Sequence, residues 1–106
     1  MTKADLVEIV AERTGFTKSD VHVICDTLLD TIKEVMSEGN NIEIRRFGTF
    51  KLKVRRARVA RNPRSGATVR IGERVVPTFK PSNEFKKMIR ITPDELKRKE
   101  KSIKER

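Results

Sequence analysis

The sequence lacks most of the residues on which catalytic, metal-binding and secreted proteins depend. Its 106 residues include no tryptophan, no tyrosine, one histidine and one cysteine. The single Cys25 excludes an intramolecular disulfide, and no apolar run approaches the ~20 residues of a membrane span. The first residues also lack the apolar core of an export signal. We therefore expect a cytoplasmic protein that binds no metal and no other cofactor.

Patterns typical of catalysis are equally scarce. His22 has no cysteine or acidic cluster at ligand spacing, which favours a surface histidine over a metal ligand or a catalytic base. Cys25 lies on an apolar stripe and is expected in the core. The chain has no phosphate-binding glycine loop and no nucleophile elbow. The pattern therefore predicts that the protein is not an enzyme.

Apolar residues are few for a chain that folds alone. Hydrophobic residues make up 36% of the 12.2 kDa chain and charged residues 38%, and the aromatic residues besides His22 are five phenylalanines. A chain of this length holds one domain with one core, and this composition provides little material for it. We expect a second chain to complete the core by dimerisation.

Positive charge is what the sequence has in excess. The net charge is +10. Residues 1–44 carry four basic and nine acidic side chains, residues 45–91 carry fifteen and two, and residues 92–106 carry six and four. The net charges of the three segments are therefore −5, +13 and +2. A cationic middle segment on an otherwise acidic protein predicts a surface that binds a polyanion.

Residues 1–39 predict an α-helical hairpin. Thr2 and Thr17 each stand three residues before an aspartate, and apolar residues follow both at three- and four-residue spacing. Gly15 ends the first helix. The second helix continues to about Gly39, a length of ~30 Å at ~1.5 Å per residue.

The apolar period changes from 3.6 to 2 after residue 41. Ile42 and Ile44, and then Phe50 and Leu52, alternate with polar residues and predict antiparallel strands. The sequence predicts a tight turn or bulge between these strands, in which Gly48 is free to adopt a positive φ.

Residues 55–76 predict a long hairpin that extends beyond the body. The apolar face shrinks while arginine recurs, and Asn62–Gly66 has the composition of a turn. Ten paired residues per limb at ~3.3 Å each would give an arm of roughly 30 Å. Guanidinium groups enter a narrow groove and displace counterions from phosphates, so this ribbon suits the minor groove of a duplex. Taken by itself, Pro63 at the tip is more simply a turn former, although a rigid ring at an arm tip could also wedge between base pairs.

The C-terminal residues predict a helix followed by an extension. Pro81 and Ser82 begin the helix, which places Phe85 and Met88 on one side. Thr92–Glu95 combines a cap residue, a proline at the first helical position and a glutamate at the third. Residues 92–106 are therefore either a short helix packed on the body or a frayed basic tail.

Four parts of the chain together resemble one protein family. They are the two opening helices, Ile42–Phe50 (IEIRRFGTF), the arm tip Arg61–Gly66 (RNPRSG), and Val76–Pro81 (VPTFKP) before the last helix. Residues 1–91 resemble a complete protomer of the HU and integration host factor family. The resemblance implies an α+β fold: an N-terminal helical hairpin, a three-stranded antiparallel sheet with a long protruding β-ribbon arm, and a C-terminal helix, in an intertwined dimer. It also implies binding and bending of double-stranded DNA in the nucleoid.

The resemblance assigns roles to residues of this chain. Pro63 matches the proline that intercalates at the arm tip. The arm residues that would line the groove are Arg55, Arg56, Arg58, Arg61, Asn62, Arg64 and Arg70. The residues that would contact flanking phosphates are Lys3, Arg46, Lys80, Lys86 and Lys87. The core shared by the two protomers would include Phe47, Phe50, Phe79, Leu28, Leu29 and Ile32.

Three positions depart from the family pattern. Arg46 and Ser82 stand where glycine is usual or frequent, and Ala60 replaces the common glycine before the tip arginine. Arg46 leaves the conformation of its turn open, whereas the other two are expected to change only arm flexibility and helix entry. The extension after Ile91 has no counterpart in the shortest family members.

The sequence is compatible with more than one partner and mode of binding. The chain is a homodimer or half of a heterodimer with a paralogue, and it either compacts DNA generally or bends specific sites. A module that stacks RNA or single-stranded bases on its phenylalanines is the first rival, although strand alternation favours a core role for these rings. The second rival is a protein whose basic arm docks on an acidic partner or an anionic membrane.

Overall fold

The computed structural model describes residues 1–104, which form four helices and five strands in an α+β arrangement. In chain order these are α1 (Lys3–Thr14), α2 (Lys18–Ser37), β1 (Ile42–Ile44), β2 (Gly48–Arg55), β3 (Arg58–Arg61), β4 (Thr68–Ile71), β5 (Arg74–Pro81), α3 (Asn83–Met88) and α4 (Pro93–Lys104). Within these residues, every helix is too short or too polar to cross a lipid bilayer.

The predicted helical hairpin is confirmed, and side-chain caps fix its ends. The Thr2 hydroxyl accepts a hydrogen bond from the Asp5 N–H, and the Asp5 carboxylate accepts one from the Thr2 N–H at 2.8 Å. These bonds satisfy N–H groups that have no partner within the helix. The Thr2 bonds also hold the pKa of the Asp5 carboxyl below its ordinary value. Gly15 ends α1 in the left-handed conformation at φ 79°, and Thr17 caps α2 by accepting from the Asp20 N–H.

The sheet has the predicted antiparallel topology, in the order β1-β2-β5. Ile42 pairs with Phe50, Phe50 also pairs with Phe79, and the β2–β5 ladder ends where Arg55 faces Arg74. Because directly paired residues lie on the same side of a sheet, Phe50, Leu52 and Val54 of β2 share one face with Phe79, Pro77 and Val75 of β5.

The turn predicted between β1 and β2 is present, but Gly48 does not use its freedom to adopt a positive φ. Arg46 instead has φ 69°, and the Phe47 N–H donates to the Ile44 carbonyl at 3.0 Å. Arg46 is therefore the third residue of a β-turn that normally takes glycine. Gly48 is required for another reason, because a Cβ built on it would lie 2.5 Å from Cζ of Phe79 and 2.6 Å from the Lys80 carbonyl oxygen.

The predicted arm is present but has fewer paired residues than expected. β3 and β4 form a separate two-stranded ribbon with four paired residues in each limb, not ten. The ladder is interrupted at Arg56 and Ala57 on one limb and at Gly72 and Glu73 on the other. These four residues offer no apolar cross-strand pair, and glycine weakens strand pairing, so the ribbon leaves the body through an unpaired neck.

The C-terminal part contains two helices. α3 begins at Asn83, two residues after the predicted start, because Pro81 still pairs in the sheet and Ser82 caps the helix by accepting from the Phe85 N–H. The extension is helical from Pro93, and the Thr92 hydroxyl accepts from the Glu95 N–H at 3.2 Å. The extension is therefore a helix with a capped start over residues 93–104.

The isolated protomer buries very little. The buried hydrophobic residues in the described part are Val7, Ala11, Val21 and Met36, and the half-buried Cys25 packs against the α1–α2 cluster as expected. By contrast, Ile24 on α2 is 62% exposed. The Cα radius of gyration is 18.7 Å, whereas a compact domain of this length has about 13 Å. One chain therefore leaves most of its apolar surface uncovered.

The close approach at Gly48 predicts a stability loss for Gly48→Ala. The added methyl group would displace the Phe79 ring or the Lys80 backbone, which we expect to cost roughly 1–3 kcal/mol. Gly72→Ala is the matched control, because its Cβ would meet no atom within 4 Å and its φ is not positive. Urea unfolding of both variants at one protein concentration checks the prediction, and equal midpoints would contradict it.

The left-handed Arg46 predicts a stability gain for Arg46→Gly. Relief of the steric cost outweighs the greater flexibility of glycine in the unfolded chain, so the free energy of unfolding should rise by roughly 0.5–1 kcal/mol. Arg45→Gly makes the same chemical change at a residue with negative φ, and it should lower that free energy by about 0.5–1 kcal/mol. Thermal unfolding that moves both variants in the same direction would exclude this explanation.

Candidate nucleic-acid interface

The arm tip is a hydrogen-bonded loop that presents a proline. The Asn62 side-chain oxygen accepts from the Arg64 N–H at 2.9 Å, and the Asn62 carbonyl accepts from the Gly66 N–H at 2.8 Å. The Asn62 N–H donates to the Ala67 carbonyl, which closes the loop, and Gly66 has φ 71°. Pro63 follows Asn62 in this loop and is exposed. A ring with fixed φ and no N–H therefore projects from a braced turn.

Arginines occupy both faces of the ribbon. Val59 pairs with Arg70, and Arg61 pairs with Thr68, so Arg61 and Arg70 share one face. The opposite face carries Arg58 with the apolar residues Ala60, Val69 and Ile71. All the predicted groove-lining residues of the arm are exposed: Arg55, Arg56, Arg58, Arg61, Asn62, Arg64 and Arg70. The ribbon thus presents positively charged side chains on both of its faces.

Two arginines face each other where the ribbon leaves the body. Arg55 and Arg74 are direct cross-strand partners, an arrangement in which like charges repel. Arg74 is half-buried, and its Nη1 atom has no hydrogen-bond acceptor among the described residues. Sequence reasoning did not select Arg74. The sequence did contain a signal for it. In a hairpin centred on the tip loop, residue 74 is aligned with residue 55, which was selected.

The outward face of the body sheet carries a further row of cations. Lys51, Lys53 and Arg55 alternate along β2 with the apolar residues Phe50, Leu52 and Val54. Arg74 and Lys80 lie on the same face in β5, because they pair with Arg55 and Thr49. The alternation was visible in the sequence, but Lys51 and Lys53 were not selected as site residues. This cationic face leads from the body to the neck of the arm.

A polar groove joins the β1–β2 turn to the start of α3. It has a volume of about 570 Å³, and its charged lining residues are the basic Arg45, Arg46, Lys51 and Lys80 and the acidic Glu43 and Glu84. Ser82, the cap of α3, also borders it. The groove brings together Arg46 and Lys80, which are 34 residues apart in sequence. Lys86 and Lys87 lie in the last turn of α3 and are exposed.

Lys3 stands apart from this groove and already has a partner. Its ammonium group hydrogen-bonds to the Asp26 carboxylate on α2, and this contact holds the pKa of the Asp26 carboxyl below its ordinary value. His22 Nδ1 lies 3.2 Å from the other Asp26 oxygen, and its side chain is 53% exposed, as expected of a surface histidine. A phosphate would have to compete with Asp26 for Lys3.

The phenylalanines pack on one another rather than forming an open platform. Ring centroids are 4.8 Å apart for Phe50 and Phe79, 5.2 Å for Phe47 and Phe79, and 5.5 Å for Phe47 and Phe85. Such tilted contacts are typical of aromatic side chains in a core. Phe47 nevertheless keeps 44% of its surface exposed in the single protomer.

An apolar groove lies between the end of α2 and the sheet. It has a volume of about 710 Å³, and Ile32, Met36, Phe50, Leu52, Val75 and Pro77 contribute to its lining. On the same helix, Leu28 is 57% exposed and Leu29 47%. The predicted shared-core residues of α2 therefore lie on or near apolar surface that one chain leaves uncovered.

Sequence comparisons match nearly the whole body and arm of the chain. The sequence profile of a family described as bacterial DNA-binding protein matches residues 1–90. Integration host factor subunit alpha of Anaeromyxobacter sp. is 40% identical over 92 residues, which are 87% of this chain and 93% of that protein. The DNA-binding protein HU of Thermotoga maritima is 39% identical over 90 residues, which are 85% of this chain and 100% of HU.

Solved structures show the same fold. A chain of an Anabaena HU–DNA cocrystal structure matches with a TM-score of 0.77 and 33% identity, covering 83% of this chain and 96% of that chain. A variant of HU from Thermotoga maritima matches with a TM-score of 0.63 and 32% identity, covering 85% and 100%. Together with the capped helical hairpin, the three-stranded sheet and the arginine-rich ribbon, these matches show that the chain belongs to the HU and integration host factor family of bacterial DNA-binding proteins.

Proposed function

We propose that this protein is a nucleoid-associated architectural protein that binds the minor groove of duplex DNA and bends it. The observation that carries the proposal is the exposed Pro63 on a braced loop, at the end of a ribbon with arginines on both faces. The matched Anabaena structure is a cocrystal of HU with DNA, which supports the same partner for this chain. The role is one of binding and not of catalysis, and it requires no metal or cofactor.

Affinity comes mainly from neutralised phosphates. Residues 45–91 carry fifteen basic side chains and two acidic ones, and the fold distributes them over the ribbon, the neck and the outward sheet face. Each phosphate that is neutralised releases counterions, which favours binding at moderate salt for any sequence. Sequence preference then comes from how easily particular base-pair steps deform, because this term differs among DNA sequences.

The ribbon arginines position the tip in the groove. Arg58, Arg61 and Arg70 occupy its paired strands, and Arg64 belongs to the tip loop itself. Their planar guanidinium groups fit a narrow minor groove, while Asn62 is engaged in holding the loop. Pro63 then inserts between two base pairs and unstacks one step, which kinks the duplex. DNA that passes the neck is contacted by Arg55 and Arg56, and also by Arg74, which pairs with Arg55.

The body receives the DNA beyond the kink. Arg46 and Lys80 line one groove with Lys51, so phosphates that pass the sheet meet several cations together. Lys86 and Lys87 extend this contact along α3. Lys3 contacts a DNA phosphate only where that phosphate displaces the Asp26 carboxylate from the Lys3 ammonium group.

Two chains form the active unit. The apolar groove beside Ile32, the exposed Leu28 and Leu29, and the partly exposed Phe47 and Phe79 would be covered by a second protomer. Such burial contributes about 25 cal/mol per Å² of apolar surface. The dimer is either a homodimer or a pair with a paralogue, and it carries one arm from each chain to the same duplex.

Binding of single strands or RNA by base stacking is less well supported. The ring centroids of Phe50 and Phe79 lie 4.8 Å apart in a tilted contact, and Phe47 makes a similar contact with Phe79. These rings are therefore engaged in packing. A stacking platform requires ring faces that are free to receive bases.

If the Pro63 ring inserts between base pairs, Pro63→Ala should remove most of the bend in the bound duplex but only a small part of the affinity for DNA. A duplex labelled at both ends reports the bend by energy transfer at saturation, and anisotropy of the same duplex reports affinity. Loss of the ring removes the unstacked step, whereas the ribbon arginines still neutralise phosphates.

Pro93→Ala is the matched control, since Pro93 is an exposed proline at the first position of α4, outside the arm. Pro93→Ala should change neither the bend measured by energy transfer nor the affinity measured by anisotropy. An unchanged bend with Pro63→Ala would refute the wedge. Competition that favours RNA or single strands over duplex DNA would favour the stacking alternative instead.

A further inference from the structure

Helix α4 lies outside the part of the chain that the family shares. The family profile ends at residue 90, and HU of Thermotoga maritima is matched over its full length by 90 residues. α4 begins at Pro93, so it is added to a complete HU-like unit. Its role therefore has to be inferred from its own surface.

The surface of α4 is polar and cationic. Every residue from Pro93 to Lys101 is exposed, and Leu96 is the large apolar side chain among them. Asp94 and Glu95 occupy the first turn, and residues 96–106 then carry six basic and two acidic side chains. A helix with so little apolar surface is not held in place by a hydrophobic core.

Two lysines of α4 form a stripe along one side. Lys97 and Lys101 are four residues apart and therefore lie on the same face, about 6 Å apart along the axis. Lys99 lies on the opposite face, four residues after Glu95. Through residue 101, the ion pairs of the structure join side chains between residues 3 and 33. The charges of the Lys97–Lys101 stripe are thus not neutralised by acidic partners in that part of the chain.

Basic residues also lead along the chain from α3 to α4. Lys86 and Lys87 lie in the last turn of α3, and Arg90 follows in the short connection to α4. No acidic residue interrupts this segment of the sequence between Lys86 and Ile91.

We propose that α4 is a second DNA contact, in which the Lys97–Lys101 stripe binds backbone phosphates of the duplex that flanks the arm-bound segment. This inference rests on the proposed function, since the duplex has to be delivered by the arms and the body. The occupant is duplex DNA because its closely spaced phosphates match a row of lysines that form no ion pair with the acidic residues described through residue 101. α4 then lengthens the contacted stretch of DNA without reading its sequence.

The test compares Lys97→Gln, Lys101→Gln and Lys99→Gln in the full chain. Each variant removes one positive charge, and glutamine is nearly as good a helix former as lysine. The probe is a labelled random duplex of about 40 base pairs, because the 53 Å length of the protein corresponds to about 16 base pairs at ~3.4 Å each. Affinity is measured by anisotropy over a series of salt concentrations.

We expect Lys97→Gln and Lys101→Gln each to reduce the slope of log affinity against log salt by roughly 0.9 for every phosphate that the variant no longer neutralises. Lys99→Gln should leave the slope unchanged. Far-ultraviolet circular dichroism checks that the helix persists, and end-to-end energy transfer should show the same bend in all variants because Pro63 is unaltered.

Equal slopes for the three variants and the wild type would overturn the role of α4 while leaving the bending protein intact. Equal reductions in all three would also overturn it, since a general charge effect does not distinguish the two faces. If the wild-type chain neither binds nor bends the duplex, the proposed function fails, and this inference fails with it.

Discussion

The apolar face of the β1-β2-β5 sheet and the adjoining side of α2 have to leave water for this fold to be stable. One chain buries only Val7, Ala11, Val21 and Met36 among its described hydrophobic residues. The groove between α2 and the sheet is apolar and open. Covering it with a second chain would complete a core. The stability of the fold therefore depends on this interface.

Strand alternation separates the two functions of the sheet. Phe50, Leu52 and Val54 point to the face that needs burial, whereas Lys51, Lys53 and Arg55 point to the other. A shift of one residue in register would expose the first set and bury the second. Gly48 fixes this register at one end, because only glycine lets the Phe79 ring approach the β2 backbone so closely.

Much of the fold follows from local signals in the sequence. Thr2, Thr17 and Thr92 all cap helices as their spacing to acidic residues predicts, since a cap depends only on neighbouring residues. The conformations of Arg46 and Gly48 were not predictable in this way, because the tight site at Gly48 is created by Phe79 from another strand. Arg74 was missed for a similar reason, since its place opposite Arg55 depends on the register of the hairpin. The roles of the arm residues came from the family resemblance, and only the DNA experiments test them.

The shared core is tested most directly by the mass and the unfolding of the purified protein as functions of its concentration. Two chains of 12.2 kDa that complete one core should sediment at twice that mass, and the midpoint of thermal unfolding should rise with concentration because folding and association are coupled. A particle of 12.2 kDa that unfolds cooperatively at a midpoint independent of concentration would contradict the account.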